Sequence, residues 1–150
     1  MNNPNNIASN NRNSTDESMP ALRILLVDDV SVHRTLLQSG LLRLNPFLQL
    51  DVAGSVEEAR EKLTGDRFDA VVCDWKMPGE GGDGLVGWMR QRPAFKYVPF
   101  IMISAQTERQ EIILAFVELG VDDYVTKPFT PSAVYEKILR AVEKKRALRK

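Results

Sequence analysis

The feature that most constrains this chain is a strict alternation of short apolar runs with stretches of helical spacing. "RILLV" at 23–27, "AVVC" at 70–73 and "FIMIS" at 100–104 carry almost nothing polar, the pattern of strands covered on both faces. "LQLDVA" at 48–53 alternates like a strand, and "DYVT" at 123–126 supplies the fifth. Val32, Leu36, Leu37, Gly40, Leu41 and Leu44 recur at helical spacing until Pro46 forces a break. Ser55 and Glu58 form a capping box for a helix near 56–64. A short helix is expected around 85–90, after a glycine-rich loop. Ile112, Ile113, Phe116 and Leu119 define a helix that ends at Gly120, a natural C-cap. Val134, Ile138, Leu139 and Val142 carry the last helix. Five such units bury their apolar faces best as a doubly wound α/β domain, with a parallel sheet and helices on both sides.

Composition adds limits. At 150 residues, 43% hydrophobic and 27% charged, the chain is expected to form one soluble domain with a single well-formed core. Its formal net charge of zero gives no general electrostatic argument for nucleic acid or membranes. A single cysteine, Cys73, excludes an intramolecular disulfide and suits a reducing compartment. No apolar stretch approaches the roughly 20 residues of a membrane span, and the N-terminus lacks the apolar segment of a secretory signal. The cytoplasm is the default. Residues 1–20, "MNNPNNIASNNRNSTDESMP", are polar and Asn-rich and are read as a disordered tail, with Met19 an alternative start. The ordered domain is expected over 21–143, followed by a basic helix end or linker start at 144–150.

In a doubly wound sheet, ligands sit beyond the C-terminal strand ends, where the strand order reverses. The first apolar run ends in Asp28-Asp29, the third in Asp74, the fourth in Ser104 and the fifth in Thr126-Lys127-Pro128. With strand order 2-1-3-4-5, three carboxylates meet in one crevice beside a hydroxyl and an ammonium. Carboxylates this close cannot all stay ionised without counter-charge. A lysine supplies one charge and a hard divalent cation the rest; Mg²⁺ takes one or two carboxylates and leaves room for phosphate oxygens. Such a cradle suits phosphoryl transfer to Asp74 as an aspartyl-phosphate, which depends mainly on positioning and charge neutralisation. Singly, each of these residues reads more simply as a turn, a cap or a loop; the joint placement carries the inference. Trp75, Met77 and Trp88 read as packing residues and His33 as a helix-face residue. No zinc cluster, P-loop or dinucleotide glycine pattern occurs.

Four segments, "ILLVDD" (24–29), "VVCDWKMPG" (71–79), "IMISA" (101–105) and "GVDDYVTKPF" (120–129), resemble the receiver domain of two-component response regulators. The resemblance covers about residues 21–143. It implies a flavodoxin-like (βα)5 fold, a phosphoacceptor rather than an enzyme, and Mg²⁺ (or Mn²⁺) as cofactor. Asp74 matches the phospho-accepting aspartate. Asp29 matches the direct metal ligand of the acidic pair, Asp28 acts mainly through water, and the Lys76 backbone carbonyl adds a ligand. Ser104 matches the hydroxyl that turns toward the phosphoryl group. Lys127 matches the lysine that pairs with it, before a peptide bond to Pro128 that is cis in the family. Tyr124 matches the switch aromatic. Lys76, two after the acceptor, and Gln106, two after Ser104, occupy positions that influence phosphate lifetime. The implied donor is a sensor histidine kinase or histidine phosphotransfer protein. The implied readout is a downstream protein on the face of the fourth helix, fifth strand and fifth helix, roughly 107–119 and 124–142.

One departure concerns the loop over 79–83, where "GEGG" makes the spacing between Met77-Pro78 and Asp83-Gly84 two residues longer than expected. Its motion and partner access are expected to differ. The short basic end "KKRALRK" leaves no room for an output module, so a stand-alone receiver signalling by protein contact is expected, as a monomer or weak dimer. The alternative is a receiver from a longer regulator whose output domain, for example DNA-binding, lies elsewhere. Nucleic-acid binding by the basic end is a weaker reading. A dehalogenase-like phosphatase would require Asp where Lys76 stands. A pseudo-receiver adaptor is at odds with the intact acidic, hydroxyl and lysine set.

Overall fold

The computed structural model describes residues 19–149. The expected tail therefore lies, up to residue 18, outside the described residues. Five parallel strands, β1 (Arg23–Val27), β2 (Gln49–Ala53), β3 (Ala70–Asp74), β4 (Phe100–Ala105) and β5 (Asp123–Lys127), form one sheet of order β2-β1-β3-β4-β5. The helices are α1 (Ser31–Leu44), α2 (Val56–Gly65), α3 (Gly82–Arg90), α4 (Arg109–Leu114) and α5 (Pro131–Arg149). α4 runs on into a wide π turn over Ala115–Leu119.

Sequence pattern and strand position agree. β3 is buried throughout and β4 along all but its last residue, whereas the edge strands β2 and β5 are only partly covered. Successive β1 residues feed opposite cores. Leu25 and Val27 pack with Val56, Leu85 and Ile112 on the α2–α3–α4 side, and Ile24 and Leu26 with Leu41, Val134 and Ile138 on the α1–α5 side. This two-sided demand makes the central strands continuous apolar runs rather than alternating ones. Among the described residues no helix is long and apolar enough to cross a membrane.

Local signals are realised with instructive differences. Ser55 caps α2 by accepting a hydrogen bond from Glu58 N at 3.1 Å, but the Glu58 carboxylate reaches back to Gly54 N at 2.9 Å, one residue before the cap. The α1 stripe is narrower than its apolar content suggests. Leu37 and Leu41 are buried, while Val32 and Leu36 stay exposed. Gly40 belongs to this helix because of α5, since a Cβ there would run into the Pro131 ring. Along α4 and the π turn that follows it, Ile112 and Ala115 are buried, but Ile113 and Val117 face outward and Phe116 is 37% exposed. The π turn interrupts the α spacing on which a single buried stripe depends. It closes at Gly120, whose φ of 76° is the left-handed cap expected there. α5 continues unbroken past residue 143, and Lys145 pairs with Asp122 at 3.0 Å.

Candidate functional site

Strand register assembles the site. Val27 lies opposite Cys73, so Asp28, the next residue, arrives beside Asp74. Asp74 lies opposite Ile103, which sets Ser104 just beyond it, and Ala105 lies opposite Lys127. The carboxylates of Asp28, Asp29 and Asp74 consequently offer ligand atoms all within 4.8 Å of one another. Asp29 is exposed, Asp28 partly covered and Asp74 buried, so the cluster grades from solvent into the sheet edge. Lys127 Nζ lies 3.0 Å from Asp74 Oδ1, and its peptide bond to Pro128 is cis.

These surroundings act on Asp74 in opposite directions. Burial raises its carboxyl above the usual range, the Lys127 hydrogen bond and charge pull it down, and Asp28 and Asp29 push it up again. The net effect is upward. Lys127 alone does not neutralise three acids, and a divalent cation would supply the missing charge. A second unmet demand is local: Ser104 is 2% exposed and its Oγ has no hydrogen-bond partner among the described residues. A buried hydroxyl without a partner costs about 1–3 kcal/mol. Cation-binding acids, a pinned ammonium and a waiting hydroxyl donor fit an oxyanion-rich group such as phosphate, held with a hard metal ion.

Asp28 is also tied down locally, accepting from Val30 N at 2.9 Å and lying 3.3 Å from His33 Nδ1. His33 is thus an exposed helix-face residue, as expected, but one whose ring touches the acidic cluster. Sequence spacing alone carried no signal for that contact.

The remaining expected residues lie around this centre. Lys76 is exposed, with Nζ 3.1 Å from Glu111 of α4. Gln106 stands exposed in the turn after β4. Tyr124 is 39% exposed and packs edge-on against Phe116, ring centroids 5.8 Å apart at 87°. The longer loop is anchored rather than loose: Arg60 of α2 grips Glu80 with both terminal nitrogens. Gly79 has a φ of 77°, and a Cβ at Gly82 would lie 2.9 Å from the Trp75 ring. Glu80 with Arg60, which holds this loop, and Glu111 with Lys76 were invisible in the sequence because each pair joins distant elements.

Comparison with known proteins converges on the same fold. The family model "Response regulator receiver domain" matches residues 24–139. The chain belongs to the response regulator receiver domain family. Among its relatives, the chemotaxis protein CheY of Pseudomonas aeruginosa is 37% identical over 123 residues, 82% of this chain and 98% of that protein. CheY1 of Helicobacter pylori (strain 26695) is 37% identical over 118 residues, covering 78% and 94%. In fold, the receiver resembles the chemotaxis protein CheY4 of Vibrio cholerae, with a TM-score of 0.73 at 24% identity, covering 80% of this chain and 98% of that one. It is a receiver of the CheY-like response regulators.

Proposed function

We propose that this receiver accepts a phosphoryl group on Asp74 in a Mg²⁺-dependent reaction, from a sensor histidine kinase or a histidine phosphotransfer protein. The observation that carries the reading is the convergence of the Asp28, Asp29 and Asp74 carboxylates within 4.8 Å, with Lys127 3.0 Å from Asp74. Asp28, Asp29, Asp74 and the Lys76 carbonyl would hold the metal (Mn²⁺ serving in its place), which supplies charge neutralisation for incoming phosphoryl oxygens. Lys127 orients the Asp74 carboxylate and stays to pair with the phosphoryl group. Ser104 donates its unpartnered hydroxyl to the same group. The chain acts as a phosphoacceptor, not an enzyme with a separate substrate, and works in the cytoplasm, where buried Cys73 stays reduced.

Output follows from Tyr124. Resting against Phe116, it occupies the outward position; a Ser104 drawn toward the phosphoryl group would vacate space for it to rotate inward. The acyl phosphate makes contacts available in only one of the two states, which is what a population shift requires. The surface that changes is α4-β5-α5, offered to a downstream protein. Gln106, exposed beside the site, tunes the lifetime of the phosphate through access of water.

The test is intact-protein mass after incubation with Mg²⁺ and a small acyl phosphate, repeated with chelator. One phosphoryl adduct that disappears with chelator is expected; an unmodified protein, or an adduct indifferent to metal, would refute the reading.

A further inference from the structure

The Lys76 ammonium sits where three acids converge on it. Glu111, in the first turn of α4, holds it at 3.1 Å, and Glu108 and Asp83 add their charge, together raising the lysine above its ordinary range. Glu108 keeps one buried carboxylate oxygen without a hydrogen-bond partner among the described residues. Lys76 is therefore the cation that bridges the acceptor strand's own loop to an acidic helix start. The bridge spans one side of a groove of about 480 Å³, lined by Met77, Gly79, Leu114 and Leu119 among others, which leaves α4 room to shift.

Magnitudes decide what this bridge can do. Both side chains are substantially solvated, 63% and 43% exposed, and an exposed ion pair contributes little to stability. A phosphoryl group at Asp74, two residues along the chain, would bring up to about two negative charges. That is enough to compete with a single solvated carboxylate. We propose that Lys76 is a shared cation: Glu111 clamps it at rest, and phosphorylation draws it away and frees the first turn of α4. This rests on Asp74 being the acceptor. Once Lys76 leaves, the carboxylates of Glu108 and Glu111 lose the cation they share, which loosens and shifts the helix start. Because Phe116 of the following turn is the ring against Tyr124, the displacement reaches the switch aromatic. Glu111 is thus a positioning residue, acting through Lys76.

The experiment is amide hydrogen exchange over residues 109–114, before and after phosphorylation by a small acyl phosphate. It compares wild type, Glu111→Gln, and the charge-swapped double variant Lys76→Glu with Glu111→Lys. At rest, Glu111→Gln should exchange faster than wild type by up to about five-fold, and the swap should restore the wild-type rate. Phosphorylated wild type should reach the rate of resting Glu111→Gln, while the swap should not loosen, its cation now being on α4. Identical resting rates in wild type and Glu111→Gln, or a swap that loosens like wild type, would overturn the clamp. If wild type takes no phosphoryl group, the acceptor reading fails, and the resting comparison alone decides the clamp.

Discussion

At the scale of single residues, the site is poised by groups that cost stability. Asp74 has its carboxyl raised chiefly by burial, so the folded protein binds that proton more readily than the unfolded chain does. Its contribution to stability is present below the ordinary carboxylate value near 4 and is lost as pH rises through the raised folded value. At neutral pH the ionised side chain is a net cost, and Asp74→Asn should stabilise the fold by roughly 1 kcal/mol. Urea unfolding at pH 7 should show the gain, and it should shrink as the pH approaches 4; an equal or larger gain in acid would contradict the assignment. Ser104 carries a parallel cost, its buried hydroxyl having no hydrogen-bond partner among the described residues. Ser104→Ala should melt no lower than wild type without ligand, yet lose the stabilisation that phosphorylation gives wild type. A Ser104→Ala protein that is clearly less stable at rest would mean that the hydroxyl already has a partner.

At the scale of elements, two joints hold the strand ends in place. Asp122, just before β5, accepts from Arg90 Nη2 at 2.9 Å and from Phe100 N at 2.8 Å, and pairs with Lys145 at 3.0 Å. It thereby ties α3, β4 and α5 together at the end of the sheet opposite Asp74. Burial lowers the Arg90 guanidinium, and a largely buried pair broken on one side costs about 3–5 kcal/mol. Asp122→Ala should lose stability on that order in urea titration; a loss under about 1 kcal/mol would show the joint to be solvated. Gly40→Ala tests the second joint, because its Cβ would collide with Pro131. Overpacking of this kind costs about 1–3 kcal/mol, readable as a lowered melting temperature. These joints also show where sequence reading stops. The strands and the residues that end them were legible because a sheet covered on both faces forces continuous apolar runs and ends them at the ligand side. The strand order came with the doubly wound class and the family resemblance. Asp74, Ser104 and Lys127 could be placed at one crevice from that pattern, while their separate roles came from the family resemblance. Gly40, Glu80 and Glu111 could not, since each owes its role to a residue 20 or more positions away. The α4 stripe misled because a π turn breaks the helical period without any mark in composition.

At the scale of the whole molecule, the receiver is a doubly wound frame with a charge-imbalanced edge, and ligands should act by correcting that imbalance. Mg²⁺ at about ten times its dissociation constant should stabilise the folded state by about 1.4 kcal/mol. Thermal melts with and without Mg²⁺ should show the shift in wild type and not in Asp29→Ala; equal shifts in both would place the metal elsewhere. One expectation underlies all of this: the phosphoryl group should land on Asp74 and nowhere else. It is tested most directly by phosphorylating with a small acyl phosphate and Mg²⁺, reducing with borohydride, and mapping peptides by mass spectrometry. An aspartyl-phosphate is reduced to homoserine, whereas phosphate on a hydroxyl is not. Homoserine at position 74 alone is the predicted result. Phosphate retained at Ser104 or another hydroxyl, or homoserine at Asp28 or Asp29 instead, would contradict it.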